Sequence, residues 1–470
     1  MNEDERDFTE NEEILGAVSR FTKMCRENGF EYFDVFEIED IIDYSLDEGE
    51  SDIARRALAY GKQVHPDAVS WTLKEAQIAL FDGKYKKSLA LLDTAENLEE
   101  KNPDIFLTRG SALLLLGNYD DAVKCYDTAL EYDGDDNDEL LYNIGVSLEQ
   151  SGHIKKAIEY LNRALEINPQ NVNTYYELGY CFDKLDKLEK AIIYYNKYLD
   201  IDPFNHNVWY NLGIALSKTS RHDEAIEAYD YAIALDDKFA PACFNKANSL
   251  FNNGSYAAAA ECYREYLKLD DKSDDAWSYL GECYLNMEKY REASRCYDAA
   301  LHRNRQNAGA WYGRALVNWY YEKLDAALAN IRFAIRYDSR NSDFWLLSGK
   351  IHTELGHTEV AEVSFRRALR LNPKNQEAWV FYADMKAESG GLKDAITILK
   401  RALRSVRSDS SLINYRLTAY LLESNDETAA TRCFEKALQD DFNGYHNFFD
   451  YYPPAKQNES IKKLISKHLT

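Results

Sequence analysis

Residues 175–204, YYELGYCFDKLDKLEKAIIYYNKYLDIDPF, hold six tyrosines in thirty positions: Tyr175, Tyr176, Tyr180, Tyr194, Tyr195 and Tyr198. Clustered phenols can build a binding cage or a proton-transfer site, and the same rings can simply fill a wall. Three other groups bear chemistry. Eight cysteines could ligate zinc, but they form no CxxC pair and no paired spacing. His352 and His357 lie five apart across an expected turn, not on one helical face, and read as surface residues. The acidic run DGDDNDE at 133–139 lacks the alternating ligands and closing glutamate of a calcium loop, so it reads as a solvated turn. No phosphate-binding glycine loop, Ser/His/Asp order or paired-carboxylate context is present.

What these residues do depends on the elements that carry them, and those elements repeat. An alanine recurs at 34 or 35 residues, eleven times from Ala54 to Ala430, and Ser88 fills the one other slot. A second alanine column lies seven residues on, from Ala95 to Ala437. Twelve residues before the first column lie Gly110, Gly145, Gly179, Gly213, Gly281 and Gly349, with alanine between them. Four residues earlier stands a large ring: Phe106, Tyr175, Trp209, Trp277, Trp311, Trp345 or Trp379. Small residues opposite large ones are what two closely packed helices need. Within one period, YYELGYCFDKL and EKAIIYYNKYL are each apolar at i, i+3, i+4 and i+7, and a proline follows the second. Each period therefore reads as helix, turn, helix.

At these residues the chain resembles the tetratricopeptide repeat family. WSYLGECYLNMEKYREASRCYDAAL (277–301) has Trp277, Leu280, Gly281, Tyr284, Ala293, Tyr297 and Ala300 in the signature positions. The resemblance implies an all-α fold, a right-handed superhelical solenoid. Twelve repeats are expected, starting at 35, 69, 103, 138, 172, 206, 240, 274, 308, 342, 376 and 411. The first, second and twelfth are degenerate: Ile38 and Thr72 replace the large ring, Ile42 replaces the glycine, and Asn414 and Thr418 depart in the last. Residues 1–34 are expected to cap the array with a helix over 10–27 through Ile14, Val18, Phe21 and Cys25. Residues 445–470 are expected to hold a partial repeat with Phe448 and Tyr452, stopped by Pro453 and Pro454, and a closing helix through Ile461, Leu464, Ile465 and Leu469. An array of this kind must cover its terminal apolar faces.

The period sorts the candidates. Cys125, Cys262, Cys296 and Cys433 share one column and Cys181 and Cys283 another, which is packing rather than a metal site. Tyr175 and Tyr195 stand in signature columns and read as wall. Tyr176 and Tyr180 stand at the fifth and ninth positions of a first helix, which in the family line the concave groove. The fifth position elsewhere holds Tyr142, Tyr210, Phe244, Tyr312 and Tyr415, the sixth holds Asn143, Asn211 and Asn245, and the ninth adds Asn248. Trp319 and Tyr320 project at the twelfth and thirteenth positions of the ninth repeat. Aromatics supply apolar area at low entropic cost and amides pair with backbone groups, a combination suited to an extended peptide or a helix. The asparagine column is similar to the ladder of O-linked N-acetylglucosamine transferase superhelices, though Glu177 interrupts it; it reads equally as a residue common in the family. No fifth position is Lys or Arg, which argues against the carboxylate clamp of chaperone cofactors.

Charge is uneven. The net charge is −24, yet residues 1–140 carry 14 basic against 35 acidic residues and residues 301–410 carry 18 against 12. The acidic whole argues against broad nucleic-acid binding, the basic segment keeps that question open for one region only, and no specific nucleic-acid partner is expected. Arg332 and Arg336, Arg366 and Arg370, and Lys400 and Arg404 recur in the same two slots of three second helices, spaced i, i+4. They form a ridge expected on the convex side, either an ordinary solvated face or a docking strip for an acidic partner. No run approaches the length of a membrane span, and the first residues lack the pattern of a signal peptide. Unpaired cysteines suit a reducing cytosol, so the chain is expected to be cytoplasmic. The functional expectation is a non-enzymatic scaffold or adaptor that binds a protein or peptide, with no cofactor, no metal and no membrane insertion. Two alternatives stand beside it: the substrate-recognition subunit of an enzyme complex, and a self-assembling structural protein. Oligomerisation is left open.

Overall fold

The structure is a computed structural model. It describes residues 3–27, 29–133, 137–406 and 410–469, with the side chains of 3–13 and 469 outside that description. It is all-helical, and no strand occurs among the described residues. A first helix, α1 (Glu3–Glu27), precedes twelve helix pairs. In the first unit these are α2 (Val35–Asp47) with α3 (Ser51–Val64), α4 (Trp71–Phe81) with α5 (Tyr85–Leu98), α6 (Pro103–Leu115) with α7 (Tyr119–Asp133), α8 (Asp138–Gln150) with α9 (Ile154–Ile167), α10 (Val172–Lys184) with α11 (Leu188–Ile201), and α12 (His206–Lys218) with α13 (His222–Leu235). The second unit holds α14 (Ala240–Asn252) with α15 (Tyr256–Leu269), α16 (Asp274–Asn286) with α17 (Tyr290–Arg303), α18 (Ala308–Tyr320) with α19 (Leu324–Tyr337), α20 (Ser342–Glu354) with α21 (Thr358–Leu371), α22 (Gln376–Glu388) with α23 (Leu392–Ser405), and α24 (Ser411–Glu423) with α25 (Glu427–Asp440). Its end is α26 (Tyr445–Tyr451), a 3₁₀ turn at Pro453–Gln457, and α27 (Glu459–Leu469).

Local chemistry starts and stops each helix. Asn137, Asn171, Asn205, Asn307, Asn341 and Asn375 cap first helices, each side chain accepting from a backbone N–H of the first turn. First helices end in a left-handed residue. In α6 the Gly117 N–H donates to the Leu114 carbonyl at 2.9 Å and the Asn118 N–H to the Leu113 carbonyl at 2.9 Å, a Schellman closure. Glycine fills that place in seven pairs, and Asp186, Ser220, Glu288, Glu322 and Asn425 fill it in the other five.

Packing within a pair is set by the glycine column. A Cβ on Gly213 would stand 2.5 Å from Tyr229 Cε1, and one on Gly179 would stand 2.6 Å from Tyr195 Cε1. The glycine thus receives the ring of the partner helix sixteen residues later, and Tyr126, Tyr195, Tyr229 and Tyr297 are fully buried there. The large ring of the first helix does something else. Trp209, Trp277, Trp311 and Trp345 are only half-buried, and each indole N–H donates to the carbonyl six residues earlier, in the preceding turn. Tyr175 does the same with its hydroxyl to the Pro169 carbonyl at 2.8 Å. These rings clip a helix to its entry turn and are not the filling opposite glycine.

The second pair also departs from expectation. Its first helix begins at Trp71, not at 69, and Trp71 performs the clip by donating to the His65 carbonyl at 2.7 Å. Thr72 is therefore no lost signature position, because its neighbour Trp71 fills that role. At the N-terminal end Ala17 and Phe21 of α1 pack with Phe33, Ile38 and Ile42. At the other end Phe448, Ala455 and Ile461 pack with Phe434 and Tyr415.

Successive first helices touch within each unit, α4 with α6 and α6 with α8, α16 with α18 and α22 with α24, whereas successive second helices make no comparable contact among the described residues. First helices therefore form a continuous face in each unit, and second helices form the separated outer row.

Candidate functional site

The face of the first helices carries the residues singled out by position. In the first unit, Tyr142 and Asn143 of α8, Tyr176 and Tyr180 of α10, and Tyr210 and Asn211 of α12 are all half-buried. Neighbouring repeats meet there, because the Asn211 side-chain N–H donates to the Tyr176 hydroxyl at 3.2 Å. Tyr176 leans on Tyr195 and Tyr198, with centroids 6.2 and 6.3 Å apart, and Tyr210 lies 6.0 Å from Tyr229. The Lys184 ammonium sits 4.8 Å from the Tyr180 ring. In the second unit, Phe244, Asn245 and Asn248 of α14 and Tyr312 and Trp319 of α18 are half-buried, and Tyr320 is 55% exposed. Phe244 meets Tyr266 at 5.1 Å, and Asn248 accepts the Tyr263 hydroxyl. Trp319 donates to Glu354 at 2.8 Å, and Tyr320 stacks on Tyr290. Each of these rings has one side on a packed floor and one side toward solvent.

Two residues stand elsewhere than expected. Tyr415 shares the fifth position but is buried. Its hydroxyl donates to the Asp441 carbonyl at 2.6 Å and its ring stacks on Phe448, because α26 covers it. His352 is not a surface residue. It is 6% exposed, and its Nδ1 lies 3.3 Å from Nδ1 of the exposed His357. Burial first, then the nearby His357 and Arg332, holds its pKa below the usual imidazole range.

The six cations of the second-helix ridge, Arg332 and Arg336 of α19, Arg366 and Arg370 of α21, and Lys400 and Arg404 of α23, are all exposed. Arg366 is engaged, with Glu362 at 2.6 Å and the Tyr382 hydroxyl at 3.2 Å. Of the acidic run at 133–139, residues 134–136 lie outside the described residues. Asn137 caps α8, and Asp138 accepts from Asn168 at 2.9 Å and Asn171 at 3.3 Å, which ties α8 to the start of the next pair. No group of three or more His, Cys, Asp or Glu able to hold a metal occurs among the described residues. The thiols of Cys181, Cys283 and Cys296 are pushed up to about 12 by burial, which leaves them poor nucleophiles.

Sequence reasoning missed the carboxylates of the first-helix face. Glu149 of α8 and Glu177 of α10 face one another closely enough to interact, and burial followed by Glu149 pushes Glu177 up to about 7. In α16, Asp275 and Glu282 are both held above the usual carboxylate range, chiefly by burial. The available signal was Glu177 itself, an acid where the column places asparagine.

An array of helix pairs with a face of half-buried aromatics, amides and acids defines a helical-repeat protein. Models of the tetratricopeptide repeat match residues 107–172 and 352–410, 148–215 and 250–317, and 206–239, together just over half of the chain. The chain belongs to the tetratricopeptide repeat family. The peroxisomal targeting signal receptor of Saccharomyces cerevisiae is 34% identical over 82 residues, which is 17% of this chain and 13% of that protein. The photosystem I assembly protein Ycf3 of Rippkaea orientalis is 33% identical over 76 residues, 16% of this chain and 44% of that protein. The chain thus spans less than half the length of either relative. Among solved structures, MamA is 25% identical with a TM-score of 0.34, over 35% of this chain and 96% of that one. Yeast Tom70 is 16% identical with a TM-score of 0.46, over 98% of this chain and 99% of that one. No helix among the described residues is long and apolar enough to cross a membrane.

Proposed function

We propose that this protein is a non-enzymatic scaffold or adaptor that holds a polypeptide partner on the face of its first helices. The observation that carries the reading is the half-burial of Tyr142, Tyr176 and Tyr210 in one unit and of Phe244 and Tyr312 in the other. A ring fixed on one side and open on the other offers rigid apolar area without ordering cost, the property of interface anchors. The amides beside them, Asn143 and Asn211, can pair with a partner's backbone whatever its sequence. Membership of a family whose curated relatives are a targeting-signal receptor and an assembly protein supports the same reading.

The test is affinity capture from the native lysate with wild-type protein, a Tyr176→Ala/Tyr210→Ala variant and a Phe244→Ala/Tyr312→Ala variant, each checked by circular dichroism for folding. Loss of an interface aromatic removes about 2 kcal/mol or more of binding, roughly thirtyfold. Folded variants should therefore recover the partner poorly. Normal recovery by both would sink the reading and turn attention to the exposed ridge at Arg332, Arg370 and Lys400. Recovery of an enzyme would assign the chain as its recognition subunit, and recovery of itself alone would point to self-assembly.

A further inference from the structure

One pocket of the second unit bears on what chemistry the partner carries. The pocket, about 560 Å³, lies between α16, α18 and the start of α20. Asp274, Asp275, Glu282 and Asp343 line it, and no Lys, Arg or His does. Asp274 is engaged by the side-chain N–H groups of Asn304 at 2.9 Å and Asn307 at 2.8 Å, and Asp275 accepts from Asn307 at 3.2 Å. Glu282 has no side-chain partner among the described residues. Asp275, Tyr279 and Glu282 are spaced i, i+4, i+7 and share one face of α16.

A second feature converges on the same place. Tyr297 is 2% exposed and its ring is threaded between Gly281 of α16 and Gly313 of α18, where a Cβ on either glycine would collide with it. Tyr297 lines the pocket, and its hydroxyl has no hydrogen-bond partner among the described residues. The equivalent Tyr126 and Tyr263 reach Ser111 and Asn248, the equivalent Tyr195 and Tyr229 have no hydroxyl partner among the described residues either, and what sets Tyr297 apart is the acidic lining beside it. A hydroxyl without a partner on a buried ring, beside a partly buried carboxylate without a cation, is an arrangement that a bound donor would complete.

We propose that this pocket takes the side chain of a lysine or arginine from the bound polypeptide, its N–H groups donating to Glu282, Asp275 and the Tyr297 hydroxyl, its methylene stem lying along Tyr279 and Tyr312. This rests on the first-helix face being the polypeptide-binding surface. Charge decides the class of partner: four carboxylates repel a phosphate or an acidic segment and attract a cation. Tyr279, 40% exposed, offers a ring face to the stem and charge.

The experiment pans a displayed library of random dodecapeptides on the immobilised full chain and resynthesises the enriched sequences with fluorescein for anisotropy titration. The expected set carries Lys or Arg at one fixed position. Replacing it by norleucine, or replacing the protein's Glu282 (Glu282→Gln), should each weaken binding about tenfold or more, and the two losses should not add. Tyr297→Phe keeps the ring, removes an unpaired hydroxyl without harm to the fold, and should weaken the basic peptides about threefold. Enriched peptides without a fixed basic position, or basic peptides bound equally by Glu282→Gln, overturn the pocket assignment and leave the proposed function standing. A library from which nothing is enriched removes both.

Discussion

At the scale of single residues, the molecule is held by close approach and marked by unpaired charge. Gly213 shows the first. A Cβ there would press on Tyr229, so Gly213→Ala is expected to destabilise by about 1–3 kcal/mol through overpacking, read as a urea midpoint. A neutral result would mean that α12 and α13 are looser in solution. Glu177 shows the second. Its carboxyl is lifted to about 7 from the 4.5 of a free glutamate, by burial and then by Glu149. Between those values the folded chain keeps a proton that the unfolded chain has released. The stability this proton represents is whole below about pH 4 and is lost as pH rises through about 7. Glu177→Gln keeps the shape without the charge. It should match wild type below about pH 4 and exceed it by about 1–2 kcal/mol near pH 8, a figure discounted for partial exposure from 1.36 kcal/mol per pKa unit. A constant offset across pH would show that Glu177 is solvated.

At the scale of the helix pair, two aromatic columns that look alike in sequence have different duties. Tyr229 fills the space opposite Gly213, and Trp209 clips α12 to Pro203 while stacking on Tyr231 with centroids 4.4 Å apart. Tyr229→Ala is therefore expected to cost about 3–5 kcal/mol as a core truncation. Trp209→Ala should cost less, about 1–3 kcal/mol, because half its area is already wet. Equal losses in chemical denaturation would contradict this division. The turn inside the pair offers a gain. Glu288 adopts φ 59°, a left-handed conformation that burdens any residue with a Cβ by about 1–2 kcal/mol. Glu288→Gly should raise the melting temperature modestly, the relief offset in part by the greater freedom of glycine in the unfolded chain.

At the scale of the whole molecule, the period runs without interruption through residue 235, where the chain divides into two compact units, 1–235 and 236–470. Within each unit a pair packs on the pairs next to it in sequence, so perturbation should stay near its source. Gly179→Ala is expected to speed amide exchange in α8–α12 and leave the amides of α20–α23 at their wild-type rates, as measured by mass spectrometry. Acceleration throughout would indicate one cooperative unit of folding.

The all-α repeat fold was legible in the sequence, because everything that makes a pair is local. Ala225, Gly213 and the ring between α12 and α13 lie within one period, and the same spacing recurs along the chain. Exposure was less legible, since it depends on what the next repeat supplies. Tyr415 carries the same residue type at the same position as Tyr142, yet α26 lies over the first and not the second. His352 is drawn inward although its spacing to His357 suggested a surface pair. Thr72 looked like a lost signature until Trp71 took its place one residue earlier. The charges of the first-helix face were hidden for the same reason. Glu149 and Glu177 belong to different repeats, as do the Tyr297 ring and Gly313 that it passes. Sequence determined the pairing of helices, which needs only contacts within one period; tertiary structure decided which acids and hydroxyls are left without partners, because that is a property of two neighbouring repeats together.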